Sequence, residues 1–329
     1  MRIIRYMLQI GLIGVGYWGK NYLRLLSQLS AGTLVAVCDI QSEQTSQKIT
    51  SQGWKGAFYT NVADFLKHPH LQAVVIATPT STHFPIVLAC LLAKKHVLCE
   101  KPLTTSSMEA KQLEIVAKDN DVTLMVGHTY LFNPSVRKIK EYVETGCLGK
   151  IHTIYMTRTN WGPIREDVDV IWDLATHDVS ILMYLLDEFP SQIHSAGSRS
   201  ISVDKNQIDT CFMTSTFSCG VIAHIHVSWV DPGKTRKICI VGTHKKLVFD
   251  DMNPQGPITI YEIAKKDTPV FEIGAVYMDG NITIPHIASA EPLKTEVLEW
   301  IESIQLKIKP LSDASFAVDV VSFLEQMHA

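Results

Sequence analysis

Three side chains of complementary chemistry stand out before any fold is considered. The run HVLCEKPL, residues 96–103, starts as an apolar strand and then delivers Glu100, Lys101 and Pro102. Further on, WDLATHDVSIL places Asp173 and His177 four residues apart, a spacing that shares one face of a helix. An imidazole with a pKa of about 6.5 can take a hydroxyl proton at neutral pH, and a neighbouring carboxylate can orient the ring or bind an adjacent hydroxyl. An ammonium group can stabilise the developing alkoxide. Together they suit oxidation of a secondary alcohol, which sheds a proton from oxygen and a hydride from carbon. Singly, each has a plainer reading: a loop lysine is usually just solvated, and D-x-x-x-H can be a surface pair or a hydrogen-bonded core histidine.

A hydride needs an acceptor, and the stretch GLIGVGYWGK supplies a place for one. Gly14, Gly16 and Gly19 form G-x-G-x-x-G directly after a predicted strand and before a predicted helix, with Tyr17 and Trp18 between them. The first glycine permits a tight turn, the second lets backbone approach a pyrophosphate, and the third allows close helix packing at a helix N-terminus that favours negative charge. Asp39 closes the next strand, TLVAVCD, 20 residues beyond Gly19, where a carboxylate accepts bonds from a ribose diol and repels a 2′-phosphate. The expected cofactor is therefore NAD rather than NADP. In VVIATPTSTH another strand ends in a polar turn, so Thr78, Pro79, Thr80 and His83 are expected to line the same groove, with Ser81 or Thr82 capping the following helix. Glu100 and Lys101 end a strand on that rim. His128, Tyr130 and Asn133 follow the last strand, in reach of either the nicotinamide amide or a substrate.

These groups need a scaffold, and the first 128 residues alternate short apolar runs with polar-faced helical stretches, the pattern of an α/β doubly wound parallel sheet. Strands are predicted near 9–13, 33–38, 73–78, 96–99 and 123–127, and helices near 18–30, 42–52, 82–93, 106–119 and 134–145. Beyond about residue 150 the runs KIHTIYMTRT, DTCFMTSTF, GVIAHIHVSWV, RKICIVGT and KLVFDD read as a large, mostly antiparallel sheet. A helix interrupts it near 172–187 and two close the chain near 291–307 and 313–327. The expected division is a dinucleotide-binding domain over 1–128 and an α+β substrate-binding and oligomerisation domain over 129–329.

With 329 residues, 46% of them hydrophobic, the chain can bury a large core, and its formal charge of −3 argues against coating nucleic acid. Seven scattered cysteines without a CxxC pair read as reduced thiols in a cytoplasmic protein, with no metal site. The opening MRIIRYMLQIGLIGVG imitates a signal peptide. It runs straight into the glycine turn, however, and is too short to span a bilayer, so no membrane association is expected. Met1 and Met7 both remain open as the natural start.

The motifs GVGYWG, ATPTSTH, CEKPL, GHTYLFNP and WDLATHDVS, in this order and spacing over nearly the whole chain, resemble the Gfo/Idh/MocA oxidoreductases. The resemblance implies a nicotinamide-binding Rossmann domain, a second domain whose open sheet forms the contact of a homo-oligomer (dimer or tetramer), and Lys101, Asp173 and His177 as the catalytic lysine, aspartate and histidine. It also suggests a cis Lys101–Pro102 bond. Many relatives carry a glycine pair before the catalytic aspartate, where this chain reads DVIWDLATHD. The later segments resemble the family's nucleotide-sugar 3-dehydrogenase branch, which implies oxidation at C3 of a UDP-N-acetyl-hexosamine or its uronate. A free polyol or sugar is the alternative substrate, and a noncatalytic NAD-binding regulator the alternative role. Within MTRTNWGPIREDVDVIWD, Arg158, Asn160 and Arg165 either bind substrate diphosphate or form an ordinary charged loop in which Arg165 pairs with Glu166 and Asp167. His224 and His226 alternate with apolar neighbours, so they are expected on one face of a strand.

Overall fold

The computed structural model describes residues 7–30, 32–40, 49, 54, 56–200, 207–265 and 277–328. The chain divides into two compact units: one holds the described residues through Thr129 together with Glu291–Glu325, the other Tyr130–Ala290 with the last residues from Gln326.

The first unit is built on a six-stranded sheet in the order β3-β2-β1-β4-β5-β6. Its strands are β1 Leu8–Ile13, β2 Gly32–Cys38, β3 Ala57–Tyr59, β4 Ala73–Ile76, β5 His96–Glu100 and β6 Leu124–Gly127. Every pairing is parallel, and β1 hydrogen-bonds to both β2 and β4. Strand order therefore reverses beside β1, which opens the crevice where parallel α/β sheets take their ligands. The uninterrupted burial of Ala73–Ile76 and Leu124–Gly127 follows from helices covering both faces. Among the described residues through Thr129 the α-helices are α1 Gly19–Leu26, α2 Val62–Phe65, α3 His83–Leu92 and α4 Ser107–Asp119. The helix expected at 42–52 lies mostly outside the described residues.

The two closing helices, expected in the domain over 129–329, fall in the first compact unit. Among them, α7 Pro292–Leu306 buries Leu293, Val297, Trp300, Ile301 and Ile304, and α8 Ala314–Gln326 buries Val320, Val321, Phe323 and Leu324. Between them the Ser312 carbonyl accepts the Val126 N–H at 2.9 Å and the Ser312 hydroxyl donates to the Val126 carbonyl at 2.7 Å, which ties this return to β6. Apolar periodicity announces a buried helix face but does not name the surface that covers it.

The second unit carries α5 Pro134–Glu144, a π-helical turn at Ile171–Ala175, α6 Thr176–Leu186 and an eight-stranded sheet in the order β14-β13-β12-β11-β7-β10-β9-β8. The strands are β7 Ile151–Trp161, β8 Gln192–Ser198, β9 Thr210–Thr216, β10 Ile222–Ser228, β11 Val230–Gly242, β12 Lys245–Asp250, β13 Ile258–Lys265 and β14 Tyr277–Thr283. All pairings are antiparallel except β7 with β10. Alternation along β10 buries Ala223, Ile225 and Val227 and turns His224 and His226 to the other face. There His224 stacks on Tyr155 and His226 on Phe212, with ring centroids 5.6 and 4.2 Å apart. Among the described residues no helix is long and apolar enough to cross a membrane.

Candidate active site

In the first unit the functional side chains collect at the carboxyl ends of β1, β2, β4, β5 and β6. Gly14 follows β1 with φ +88°, and a Cβ on it would sit 2.6 Å from the Ala77 carbonyl oxygen just past β4, so the turn from β1 into α1 admits only glycine there. A Cβ on Gly19 would collide with the Gly14 carbonyl, whereas the same position on Gly16 meets nothing within 4 Å. The first and third glycines thus answer to the protein's own backbone, and the second leaves bare backbone open to a ligand. Asp39, at the end of β2, accepts the Val15 N–H on Oδ2 at 2.7 Å and so braces the glycine turn. Tyr17 is 90% exposed, and the Trp18 indole donates to Glu100. Open backbone at the start of α1, with a carboxylate one strand away, fits a dinucleotide with a free ribose diol.

Two of the residues expected to line this groove are withdrawn from solvent. Thr78 is half-buried and accepts the Thr82 hydroxyl at 2.8 Å, and Pro79 is exposed, but Thr80 and His83 are buried. The ring nitrogens of His83 lie 2.8 and 2.9 Å from the Pro102 and Thr78 carbonyl oxygens, so the imidazole is a strut between two rim loops rather than a groove-lining side chain. Glu100 also turns inward: Oε1 accepts the Tyr22 hydroxyl at 2.9 Å and Oε2 the Lys101 N–H at 3.1 Å. Lys101 is half-buried and precedes a cis bond to Pro102. Burial, with the Lys101 charge second, pushes the His128 imidazole down to about 3, so it is neutral in the working range. Its Nδ1 is buried without a partner, and its ring meets Phe316 edge-on at 5.7 Å.

In the second unit Asp173 lies in the π-helical turn and His177 in the first turn of α6, which corrects the single α-helix expected over 172–187. Asp169 Oδ1 accepts the Ile171 and Trp172 N–H groups, and the Thr176 hydroxyl donates to the Trp172 carbonyl at 2.5 Å. Those side chains supply partners for a widened turn, a device often found at functional sites. Asp173 is held at both oxygens, by Arg165 Nη1 at 3.2 Å and by the Trp229 indole N–H at 3.2 Å. The His177 ring meets Tyr130 edge-on, with centroids 5.1 Å apart. Tyr130 is fixed in turn, since its hydroxyl donates to Asp251 at 2.9 Å and the Arg158 guanidinium lies 4.4 Å from its ring centroid.

The arginines correct the reading of a diphosphate site. Arg158 is buried and forms a bidentate pair with Asp178, Nε to Oδ2 at 2.9 Å and Nη2 to Oδ1 at 3.1 Å. Arg165 pairs with Asp167, as the plainer alternative had it, and with Asp173. The Asn160 amide donates to the Gly162 carbonyl, and Asn133 caps α5 by accepting the Ser135 N–H at 2.8 Å. Asp178, Trp229 and Asp251 were not legible as site residues, because each acts on a residue 20 to 121 positions away. The nearest signal was a tryptophan at the polar end of an alternating strand. Among the described residues no three His, Cys, Asp or Glu side chains stand together as a metal site.

A parallel nucleotide-binding sheet with a glycine turn, joined to a large mixed sheet, defines a two-unit nicotinamide-dependent oxidoreductase. Residues 8–128 match the model of the oxidoreductase family with an NAD-binding Rossmann fold, and residues 136–248 that of the GFO/IDH/MocA C-terminal domain. The chain belongs to the Gfo/Idh/MocA family, and it is an NAD-binding dehydrogenase. It is similar to the myo-inositol 2-dehydrogenase of Thermotoga maritima, 28% identical over 74% of this chain and 76% of that one. It is 27% identical to the UDP-N-acetylglucosamine 3-dehydrogenase of Acidithiobacillus ferrooxidans, over 75% of each chain. Among solved structures, an oxidoreductase from Magnetospirillum magnetotacticum MS-1 superposes with a TM-score of 0.81 at 28% identity, covering 97% of this chain and 99% of that one.

Proposed function

We propose that the chain oxidises a secondary hydroxyl on a sugar or cyclic polyol ring, with His177 as general base, Asp173 as the group that binds or orients at the reacting hydroxyl, and Lys101 as electrostatic partner of the alkoxide. The observation that carries this reading is the support around His177 and Asp173. A base must be held in one orientation to act, and the Arg158–Tyr130 stack and the Arg165 and Trp229 bonds supply that. Gly14, Gly16, Gly19 and Asp39 would hold the dinucleotide, with Tyr17, Trp18, Thr78, Pro79 and His128 beside it. When bound, that group supplies the hydride acceptor. Lys101 favours the ionised oxygen, and the neutral His128 adds no competing charge.

The internal pairing of Arg158 and Arg165 favours a ring without a diphosphate, of the inositol type, because neither guanidinium offers an unengaged fork. The second reading, C3 of a UDP-N-acetyl-hexosamine or its uronate in the making of a 3-amino sugar, is supported by similarity to the Acidithiobacillus enzyme. NADH formation against a panel of inositols, free hexoses and UDP-sugars separates them. Turnover confined to UDP-sugars would reject the first, and no turnover of any ring alcohol would reject both. The same proposal includes self-association through the open sheet face, where Tyr155, Phe212 and Ile222 are exposed. Sedimentation of Phe212→Asp should show smaller species than the unaltered chain, and an unchanged mass would remove this face as the contact.

A further inference from the structure

A buried trio in the first unit carries more protons than its neighbours at first suggest. The Tyr22 hydroxyl lies 2.9 Å from Glu100 Oε1 and 3.0 Å from Glu296 Oε1, and Tyr22 and Glu296 are completely buried. A phenol has one proton to donate, so it cannot satisfy two carboxylates at once. One carboxyl must bring a proton of its own. The surroundings say which: Glu100 takes a donor at each oxygen, Tyr22 on Oε1 and the Lys101 amide on Oε2, while Glu296, beside the Tyr22 and Thr129 hydroxyls, leaves Oε2 buried with no hydrogen-bond partner. A buried ionised oxygen without a donor is costly, whereas the carbonyl-like oxygen of a neutral acid is far less so.

We propose that Glu296 is a positioning residue that keeps its proton at neutral pH and donates it to the Tyr22 oxygen, so that the Tyr22 proton is directed to Glu100 and fixes the carboxylate that holds the Lys101 amide. The direction runs α7 to α1 to the end of β5, from a helix near the chain's end to the lysine at the rim. Burial, followed by the charge of Glu100, pushes Glu296 well above the usual carboxylate range, against the nearby Thr129 and Tyr22 hydroxyls, with Glu299 adding to the rise. Burial raises Glu100 as well, opposed by the Lys101 charge, Tyr22, the Lys101 amide and Trp18. Tyr22 is pushed well above its ordinary value by burial and by both carboxyls, so its hydroxyl stays protonated.

The protonation state is read without any substrate, by infrared difference spectra at neutral pH between the unaltered protein and Glu296→Gln. The expected difference is loss of a protonated carboxyl band. Loss of an ionised carboxylate band instead would overturn the assignment. The positioning role rests on the proposed reaction and is read separately, from turnover and NAD affinity of Glu296→Gln, Glu296→Leu and Tyr22→Phe. Gln keeps a donor toward Tyr22, so its kcat should exceed that of Leu by about tenfold, and Tyr22→Phe should lose about tenfold in kcat with NAD affinity within about twofold, the size of one bond to a charged group. Equal kcat for the Gln and Leu variants, or an unaltered kcat for Tyr22→Phe, would reject the positioning role while leaving the infrared result intact.

Discussion

Replacing Arg158 by methionine separates a structural arginine from a substrate-binding one. The guanidinium and Asp178 are almost fully withdrawn from water, with side-chain exposures of 5% and 1%, and share two bonds of 2.9 and 3.1 Å. Methionine roughly fills the volume but leaves a buried carboxylate unpaired, which costs about 3–5 kcal/mol. Urea unfolding at neutral pH should therefore show a midpoint drop of more than about 1 M. Burial already holds Asp178 above the ordinary carboxylate range, with Arg158 opposing. Without that opposition the acid takes a proton more readily, so the deficit should shrink as pH falls from neutral towards 5. Adding Asp178→Leu should recover most of the loss, since an apolar pair replaces a buried ionic one at little cost. A stability change below about 1 kcal/mol, with substrate KM raised and folding intact, would refute this account and return Arg158 to the substrate.

His128 gives a pH dependence of definite sign. Burial lowers it from 6.5 to about 3, so the unfolded chain binds its proton first and folding loses stability as pH falls through that window. His128→Gln should flatten the stability profile below pH 6.5, as followed by thermal unfolding, and an unaltered slope would show that the imidazole is not buried neutral. Asp39→Ala should weaken NAD by at least about tenfold and narrow its preference over NADP, because it removes both the ribose acceptor and the brace on Val15. Titration by fluorescence checks both, and a preserved preference would displace Asp39 from the ribose.

The parts of this molecule that repeat a local rule were legible from the chain alone. Glycines at 14, 16 and 19 between strand and helix, and continuous apolar runs such as VVIAT, declare the parallel sheet because each is set by backbone geometry within a few residues. The cis Lys101–Pro102 bond expected from the family resemblance is present. What escaped were partnerships over long separations. Arg158 reads as a free fork until Asp178 closes on it, and Asn133 reads as a ligand until it caps α5. The π-helical turn at Asp173 escaped because Asp169 and Thr176 stabilise it by bonds that no apolar period encodes. The destination of α7 escaped for the same reason: Glu296 is a buried acid whose hydrogen-bond partner Tyr22 lies 274 positions away.

The central claim is that His177 takes the hydroxyl proton, and the most direct measurement is kcat together with the NAD dissociation constant for His177→Ala. His177 is not one of the residues proposed to hold the dinucleotide, so NAD affinity should stay within about twofold while kcat falls by about 10²- to 10⁴-fold, the range of a positioned general base. Turnover within tenfold of the unaltered enzyme would contradict the assignment.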